Sequence, residues 1–333
     1  MLAFIIALVI SMVDRRRDNY RVLLKWLIVL VRYYLAALMI NYGLSKLFYL
    51  QFTFLSEVAL TRDLGEFSPM GLLWNFMGYS KGYTMFAGAL EFIAGLLLLN
   101  RRTHILGTLM TFGVMLNVMM LNYCYDVPVK LSSTHMVLMS LFLISLRAER
   151  LYAFFISNRK IEPYSYPELI PAKYYKLKTI LKWLMIMAYL SLYISSMWGH
   201  SQNNKSNDVT LISGKYKVES FERKRPASDD SETSNYDDWK EFYQVRKGYA
   251  LVKTKDDYKL NYRVWADTIK NLIHIKLRNE SDFQKLQYEF IEPELIRLSG
   301  VYKFDTLDIL MRKDEIPLLD RGFHWVTEYP YNY

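Results

Sequence analysis

The 333-residue chain has a single cysteine, Cys124. One thiol excludes an intrachain disulfide and any Cys-x-x-Cys dithiol chemistry, so cysteine usage says nothing about compartment. The five histidines fall at no metal-ligand spacing. The chain has no phosphate loop, no nucleophile elbow and no His-Glu-x-x-His pair. It also carries no recognisable ligand set for haem, an iron–sulfur cluster or a flavin. Acid is scarce in one half: residues 1–198 hold 10 Asp+Glu against 20 Lys+Arg, whereas residues 199–333 hold 23 against 22. The whole excess of +9 therefore belongs to the first half. A basic balance commonly points to nucleic acid. Here the basic residues sit between long apolar runs, which points to membrane topology and away from a nucleic-acid partner.

Those runs lie at about 24–48, 83–100, 104–123, 131–147 and 180–198. Each approaches the roughly 17–25 helical residues that cross ~30 Å of hydrocarbon. A sixth run, 1–13, is too short to span. It is apolar first and basic second, ending at Asp14-Arg-Arg-Arg17, the reverse of a secretory signal. We read it as the inner end of a helix clipped by a misplaced start codon. The segments 14–25, 100–104 and 147–182 hold five, two and eight basic residues, against three and one in 46–82 and 124–130. The positive-inside rule then faces the first set to the cytoplasm, with Trp26 and Trp183 at the inner interface and Trp198 at the outer. On this count everything after Trp198 lies outside a bacterial cytoplasmic membrane.

One carboxylate interrupts the second full span: Glu91, in Ala87-Gly-Ala-Leu-Glu-Phe-Ile-Ala-Gly95. A charge near mid-bilayer costs at least ~2.5–3.5 kcal/mol, so something must offset it. Ala87, Glu91 and Gly95 share one helix face, and small neighbours let another backbone approach. Glu91 is thus expected in a helix–helix interface. Asn41, Lys46, Asn117 and His135 fall at matching depth and complete a candidate polar layer with it. Lys46 is the expected salt partner, and Asn117 or His135 a hydrogen-bond partner. Two readings stay open: a paired acid that holds the bundle together, or a site that handles a proton, a quinone or another small ligand.

The outer loop contains Ser68-Pro-Met-Gly-Leu-Leu-Trp-Asn-Phe-Met77, which predicts a capped amphipathic helix with Leu72, Leu73, Phe76 and Met77 on one face. It reads as lying at the surface, with a re-entrant lid as the alternative. Cys124-Tyr-Asp-Val-Pro-Val-Lys130 reads as a tight outer turn in which Asp126 and Lys130 can pair. Beyond Val209 the pattern becomes alternating, as in Tyr258-Lys-Leu-Asn-Tyr-Arg-Val-Trp265 and Leu272-Ile-His-Ile-Lys-Leu-Arg278. Seven or eight short antiparallel strands are expected, as a small barrel or sandwich, lipocalin-like in type. Residues 225–238, rich in Ser and Asp, read as a disordered stretch or a long loop. The aromatic tail 321–333 reads as a cap on the barrel or as a docking segment.

Asn41-Tyr-Gly-Leu-Ser-Lys46, Ser68-Pro-Met-Gly-Leu-Leu-Trp74, Met77-Gly-Tyr79, Glu91 ahead of Leu-Leu-Leu-Leu-Asn-Arg-Arg102, and residues 122–130 together resemble the DoxX family of small bacterial membrane proteins. The resemblance implies a four-helix core over 24–150. It leaves 1–23 as a partial helix and basic loop, 151–198 as a connector and last span, and 199–333 as an added β-domain. The family's namesake is similar to a subunit of a thiosulfate:quinone oxidoreductase, and other members are linked to thiol-oxidative stress. The cofactor so implied is a quinone; the family brings no agreed active-site residues. Two functions follow as expectations. One is a non-enzymatic bundle in the lipid bilayer that binds a lipid or a protein partner and displays the β-domain, itself a surface for such a partner. The other is a redox-associated subunit that handles quinone or thiol electrons.

Overall fold

The structure, a computed structural model, describes residues 12, 19–160, 175–206, 212–224, 238–244, 248–303 and 305–320. The first apolar run apart from Met12, residues 225–237 of the stretch between the first two strands and the aromatic tail lie outside the described residues. The chain divides into two compact units, residues 1–54 with 67–198 and residues 55–66 with 199–333.

In the helical unit α1 is Arg21–Leu47; α2, Glu57–Leu60, belongs to the other unit. Then follow α3 Pro69–Tyr79, α4 Lys81–Leu99, α5 His104–Cys124, α6 Lys130–Ser145, α7 Ala148–Phe155 and α8 Tyr175–Ser206. Local chemistry sets the starts. The Ser68 hydroxyl accepts from Gly71 N at 3.1 Å with Pro69 in the first turn, and Ser80 accepts from Tyr83 N at 3.3 Å. α1, α4, α5 and residues 179–202 of α8 are long and apolar enough to cross a membrane. The chain is a polytopic membrane helix bundle followed by a closed β-barrel.

The fourth span is less simple than its apolar run suggests. The 16 residues of α6 reach about 24 Å at ~1.5 Å per residue, short of a ~30 Å hydrocarbon layer. The chain then bends by 75° into α7, and the two make a fifth span only if they are taken together. Arg147, Glu149 and Arg150 sit at that bend, where continuing straight would carry three charges along the span axis.

α1 and α4 pack through glycines. A Cβ on Gly43 would stand 2.5 Å from Phe92 N, one on Gly88 2.7 Å from Lys46 Cβ, and one on Gly95 2.8 Å from Ile40 Cγ1. Only hydrogen fits at these points. Lipid tails give no hydrophobic drive for helices to associate, so this closeness supplies the dispersion contact that holds them. Leu35, Ala36, Met39 and Leu98 are fully buried around the seam. Gly107 brings α5 onto α4 in the same way, its absent Cβ 2.7 Å from Leu98 N. α8 lies against α1 through Ile186, Leu190 and Tyr193.

The second unit is a closed eight-stranded antiparallel barrel in chain order: β1 Gly214–Lys224, β2 Trp239–Gln244, β3 Ala250–Thr254, β4 Lys259–Asp267, β5 Leu272–Leu277, β6 Gln284–Glu292, β7 Leu295–Tyr302 and β8 Asp305–Asp314. Pairing of β1 with β8 closes it and leaves no free edge. β2 and β3 are parted by a turn in which Gly248 takes φ +86°. Tyr216, Trp239, Phe242, Tyr262, Ile275, Leu286, Ile309 and Met311, each 4% exposed or less, fill the interior. Eight strands enclose about the width that side chains can fill, so this meander has a packed core. Residues 55–66 belong to this unit. Ser56 caps α2, and Lys259 at the head of β4 donates to the Thr61 carbonyl at 2.8 Å. A four-residue helix, α9, follows the last strand at Pro317–Asp320.

Where β1 meets β8, Lys215 lies 2.6 Å from Asp314 and 3.5 Å from Glu241. The Lys215 hydrogen bond holds Asp314 below its ordinary value against partial desolvation. Desolvation opposes the Lys215 charge, yet Asp314 and Glu241 outweigh it and raise Lys215.

Two outcomes follow. Gly88→Leu forces a side chain into the α1–α4 seam and lowers thermal stability of the purified chain by about 1–3 kcal/mol or more, the usual cost of overpacking; differential scanning fluorimetry in detergent measures it. Asp314 is depressed on folding, so it adds stability above the unfolded carboxylate value of 3.8 and loses it as pH falls through the folded value. Asp314→Asn should therefore lower the urea midpoint of the barrel at neutral pH, and the gap to wild type should close as pH falls below 4.

Candidate functional site

The glycine seam brings one cation to one anion. Lys46 Nζ lies 2.7 Å from Glu91 Oε1 and 2.6 Å from Oε2, with side chains 7% and 3% exposed. Gly88 stands one turn before Glu91, and its missing Cβ is what lets the Lys46 stem pass. Burying two charges costs several kcal/mol per ion, which the mutual attraction offsets only in good geometry. Two short bonds from one ammonium to both carboxylate oxygens supply that geometry. The Tyr42 and Phe52 rings add their faces, 5.7 and 6.0 Å from Lys46 Nζ.

The pair forms part of the wall of a cavity of about 360 Å³. α1 contributes Tyr42 and Lys46, the following loop Gln51 and Phe52, and α3 Leu73, Trp74 and Met77. Tyr83, Phe86 and Leu90 come from α4 beside Glu91, and Asn117 and Asn122 from α5. Ser132, Ser133 and Met136 of α6 complete the lining. Asn122 Nδ2 donates to Ser133 Oγ at 3.0 Å, and Ser133 Oγ donates to the Lys130 carbonyl at 2.9 Å, so the α5–α6 corner is tied. Gly113 and Asn117 are exposed where they border the cavity.

α3 is held over this space by hydrogen bonds to backbone. The buried Thr84 hydroxyl donates to the Met77 carbonyl at 2.6 Å, and Tyr49 OH donates to the Gly78 carbonyl. A Cβ on Gly78 would meet Thr53 O at 2.2 Å, so the loop lies directly on the helix end. Leu73 and Met77 turn inward with Phe52 and Val127, whereas Leu72 and Phe76, read from sequence onto the same face, are exposed. The reason is that α3 covers a cavity with a narrow stripe, and 72 and 76 fall one residue off it.

The residues singled out from sequence divide into three groups. Lys46, Glu91 and Asn117 line one cavity, with Lys46 and Glu91 in direct contact. Asn41 points elsewhere and accepts from Tyr193 OH of α8. His135 is exposed, with Nδ1 2.6 Å from the Leu131 carbonyl one turn back. Both lie near the right depth but on other helix faces. Cys124 is exposed and free, and Asp126 pairs with Lys130 at the turn, where the Lys130 hydrogen bond holds its carboxyl below the usual value. Gln51, Ser132, Ser133 and the aromatic lining carried no sequence signal strong enough to select them; the Ser132-Ser133-Thr134 run opening an apolar span was the nearest hint. Among the described residues no group of three or more His, Cys, Asp and Glu could hold a metal ion.

The chain is 34% identical over 113 residues to the "Uncharacterized protein YwoB" of Bacillus subtilis (strain 168), a match covering 34% of this chain and 71% of that protein. No family model matches, and no solved structure does.

Glu91→Ala leaves Lys46 buried without its partner and should cost about 3–5 kcal/mol of stability. The double change Lys46→Met with Glu91→Met replaces the pair by apolar groups of similar reach and should return most of that loss. Thermal unfolding of the single and double variants in the same detergent decides it; an unaffected Glu91→Ala would mean the acid is already neutral or wet.

Proposed function

The chain belongs to the family of YwoB, and we propose that its helix bundle binds a neutral, amphipathic, lipid-like molecule in the Lys46–Glu91 cavity. The observation that carries this reading is the unused hydrogen-bonding capacity of the buried pair. An ammonium has three N–H donors and a carboxylate about four acceptor positions. Two bonds join Lys46 to Glu91, and each group has no other hydrogen-bond partner among the described residues. A head group with a hydroxyl or carbonyl takes up the remainder. A neutral head suits the site best, because the pair is already balanced and a further charge would enter uncompensated. Trp74, Tyr83 and Phe86 then take the apolar body. No bond of the ligand needs to change in this reading, so the bundle acts as a binding protein.

The DoxX resemblance favours a second reading, in which the occupant is a quinone. The residues fit such a ring: Lys46 would donate to a ring carbonyl and the aromatic walls would stack on it. A bound quinone would supply electron-accepting chemistry, with electrons delivered by a partner protein.

In both readings the segments rich in Lys and Arg face the cytoplasm and the barrel lies outside, on a bacterial cytoplasmic membrane. Residues 55–66 and the barrel form one unit, which supports this arrangement because the loop after α1 and the barrel must then share one side. The barrel surface is the proposed contact for a protein partner.

Organic extraction of the purified protein followed by mass spectrometry should recover a neutral lipid-like molecule at near one per chain. The folded Lys46→Met with Glu91→Met variant should lose it. If no molecule co-purifies and none of a panel of neutral lipids shifts the melting temperature, the binding reading fails. Reduction of a quinone by the protein in nanodiscs with thiosulfate or a thiol as donor would instead select the second reading.

A further inference from the structure

A second space in the helical unit has different chemistry. A groove of about 610 Å³ runs between α1 and α8 and ends at Leu99, the last residue of α4. Tyr33, Ala37, Ile40, Met185 and Ile186 give it an apolar wall. One cation borders it: Lys182 Nζ donates to the Leu99 carbonyl at 2.7 Å and stands 4.8 Å from the centre of the Trp183 ring. Among the described residues Lys182 has no carboxylate partner.

The segments that lead to this end are basic in sequence. Residues 19–32 contain Arg21, Lys25 and Arg32; residues 99–104 contain Arg101 and Arg102; residues 175–183 contain Lys176, Lys178 and Lys182. None of the three holds an Asp or Glu. Arg32 is buried, with its guanidinium over the Tyr33 ring at 4.9 Å, so this end of α1 is already built around positive charge. An apolar trough that ends at Lys182, a cation with no carboxylate partner among the described residues, matches a molecule with a long hydrocarbon body and an anionic head.

We propose that this groove is a binding site for an anionic phospholipid of the bilayer, its acyl chain along Ala37, Ile40 and Ile186 and its phosphate at Lys182 with Arg101 and Arg102. The site is separate from the Lys46–Glu91 cavity, which offers a balanced pair to a neutral head. It gives α8 a lipid seam against α1 in addition to the Tyr193–Asn41 bond.

Native mass spectrometry of the full-length protein in detergent tests this with phosphatidylglycerol and phosphatidylcholine of identical chains. Wild type should retain phosphatidylglycerol preferentially. Lys182→Gln should weaken that retention by roughly fivefold, whereas Lys182→Arg should keep it. Ala37→Trp fills the trough and should abolish the preference, with helical content by circular dichroism unchanged. The folded Lys46→Met with Glu91→Met variant should bind phosphatidylglycerol as wild type does. Equal retention of the two lipids by wild type overturns the proposal. So does unchanged phosphatidylglycerol binding in both folded Lys182→Gln and folded Ala37→Trp, or a loss confined to the Lys46 and Glu91 variant.

Discussion

The helical unit depends on how closely α1 and α4 approach. Gly43, Gly88 and Gly95 each face backbone or a fixed stem at distances no Cβ tolerates. That closeness does two things at once. It gives the dispersion contact on which helix association in lipid rests, and it brings the Lys46 ammonium within bonding distance of both Glu91 oxygens. A seam of larger residues would separate the helices and leave each charge alone in a low-dielectric setting, where neither could stay ionised cheaply. The ion pair is therefore a consequence of the seam rather than its cause. It also helps to fix the register, since sliding either helix by a turn would part the charges.

The two spaces in this unit differ because their charges are arranged differently. In the cavity a cation and an anion neutralise each other and keep hydrogen-bonding capacity in reserve. At the groove Lys182 has no carboxylate partner among the described residues. The same bundle thus offers a neutral polar anchor under α3 and a positive anchor beside α8. Aromatic residues surround the first, aliphatic residues line much of the second, and each setting suits a different part of lipid chemistry.

The barrel follows a separate logic. Its strands alternate, its neighbours in sequence are its neighbours in space, and β8 returns to β1. Closure removes the unpaired edges that an open sheet of this length would expose. Large aromatic side chains such as Trp239 and Phe242, stacked at 5.8 Å, take the central volume. The barrel's outer face carries ion pairs such as Arg297 with Asp308 and Arg312 with Glu219, which at exposed positions add little to stability.

Much of this could be read without coordinates, because hydropathy and period are one-dimensional signals. Long apolar runs gave the spans, period-2 alternation gave the strands, and a lone acid among small residues gave Glu91 its helix interface and Lys46 as a partner. Depth alone also grouped Asn41 and His135 with that pair, and there it failed. Depth is set by distance along the helix, whereas facing is set by rotation about it, and α1 and α6 turn Asn41 and His135 away from the cavity. Sequence by itself determined which segments are apolar enough to cross lipid, which form strands and which charge needed a partner, since each of those follows from local chemistry and spacing. Only the tertiary structure decided that α3 covers a cavity, that α6 breaks at Arg147, that eight strands close on themselves and that residues 55–66 belong with the barrel. Those features rest on contacts between distant parts of the chain, where rotation, crossing and close approach are fixed by packing in three dimensions.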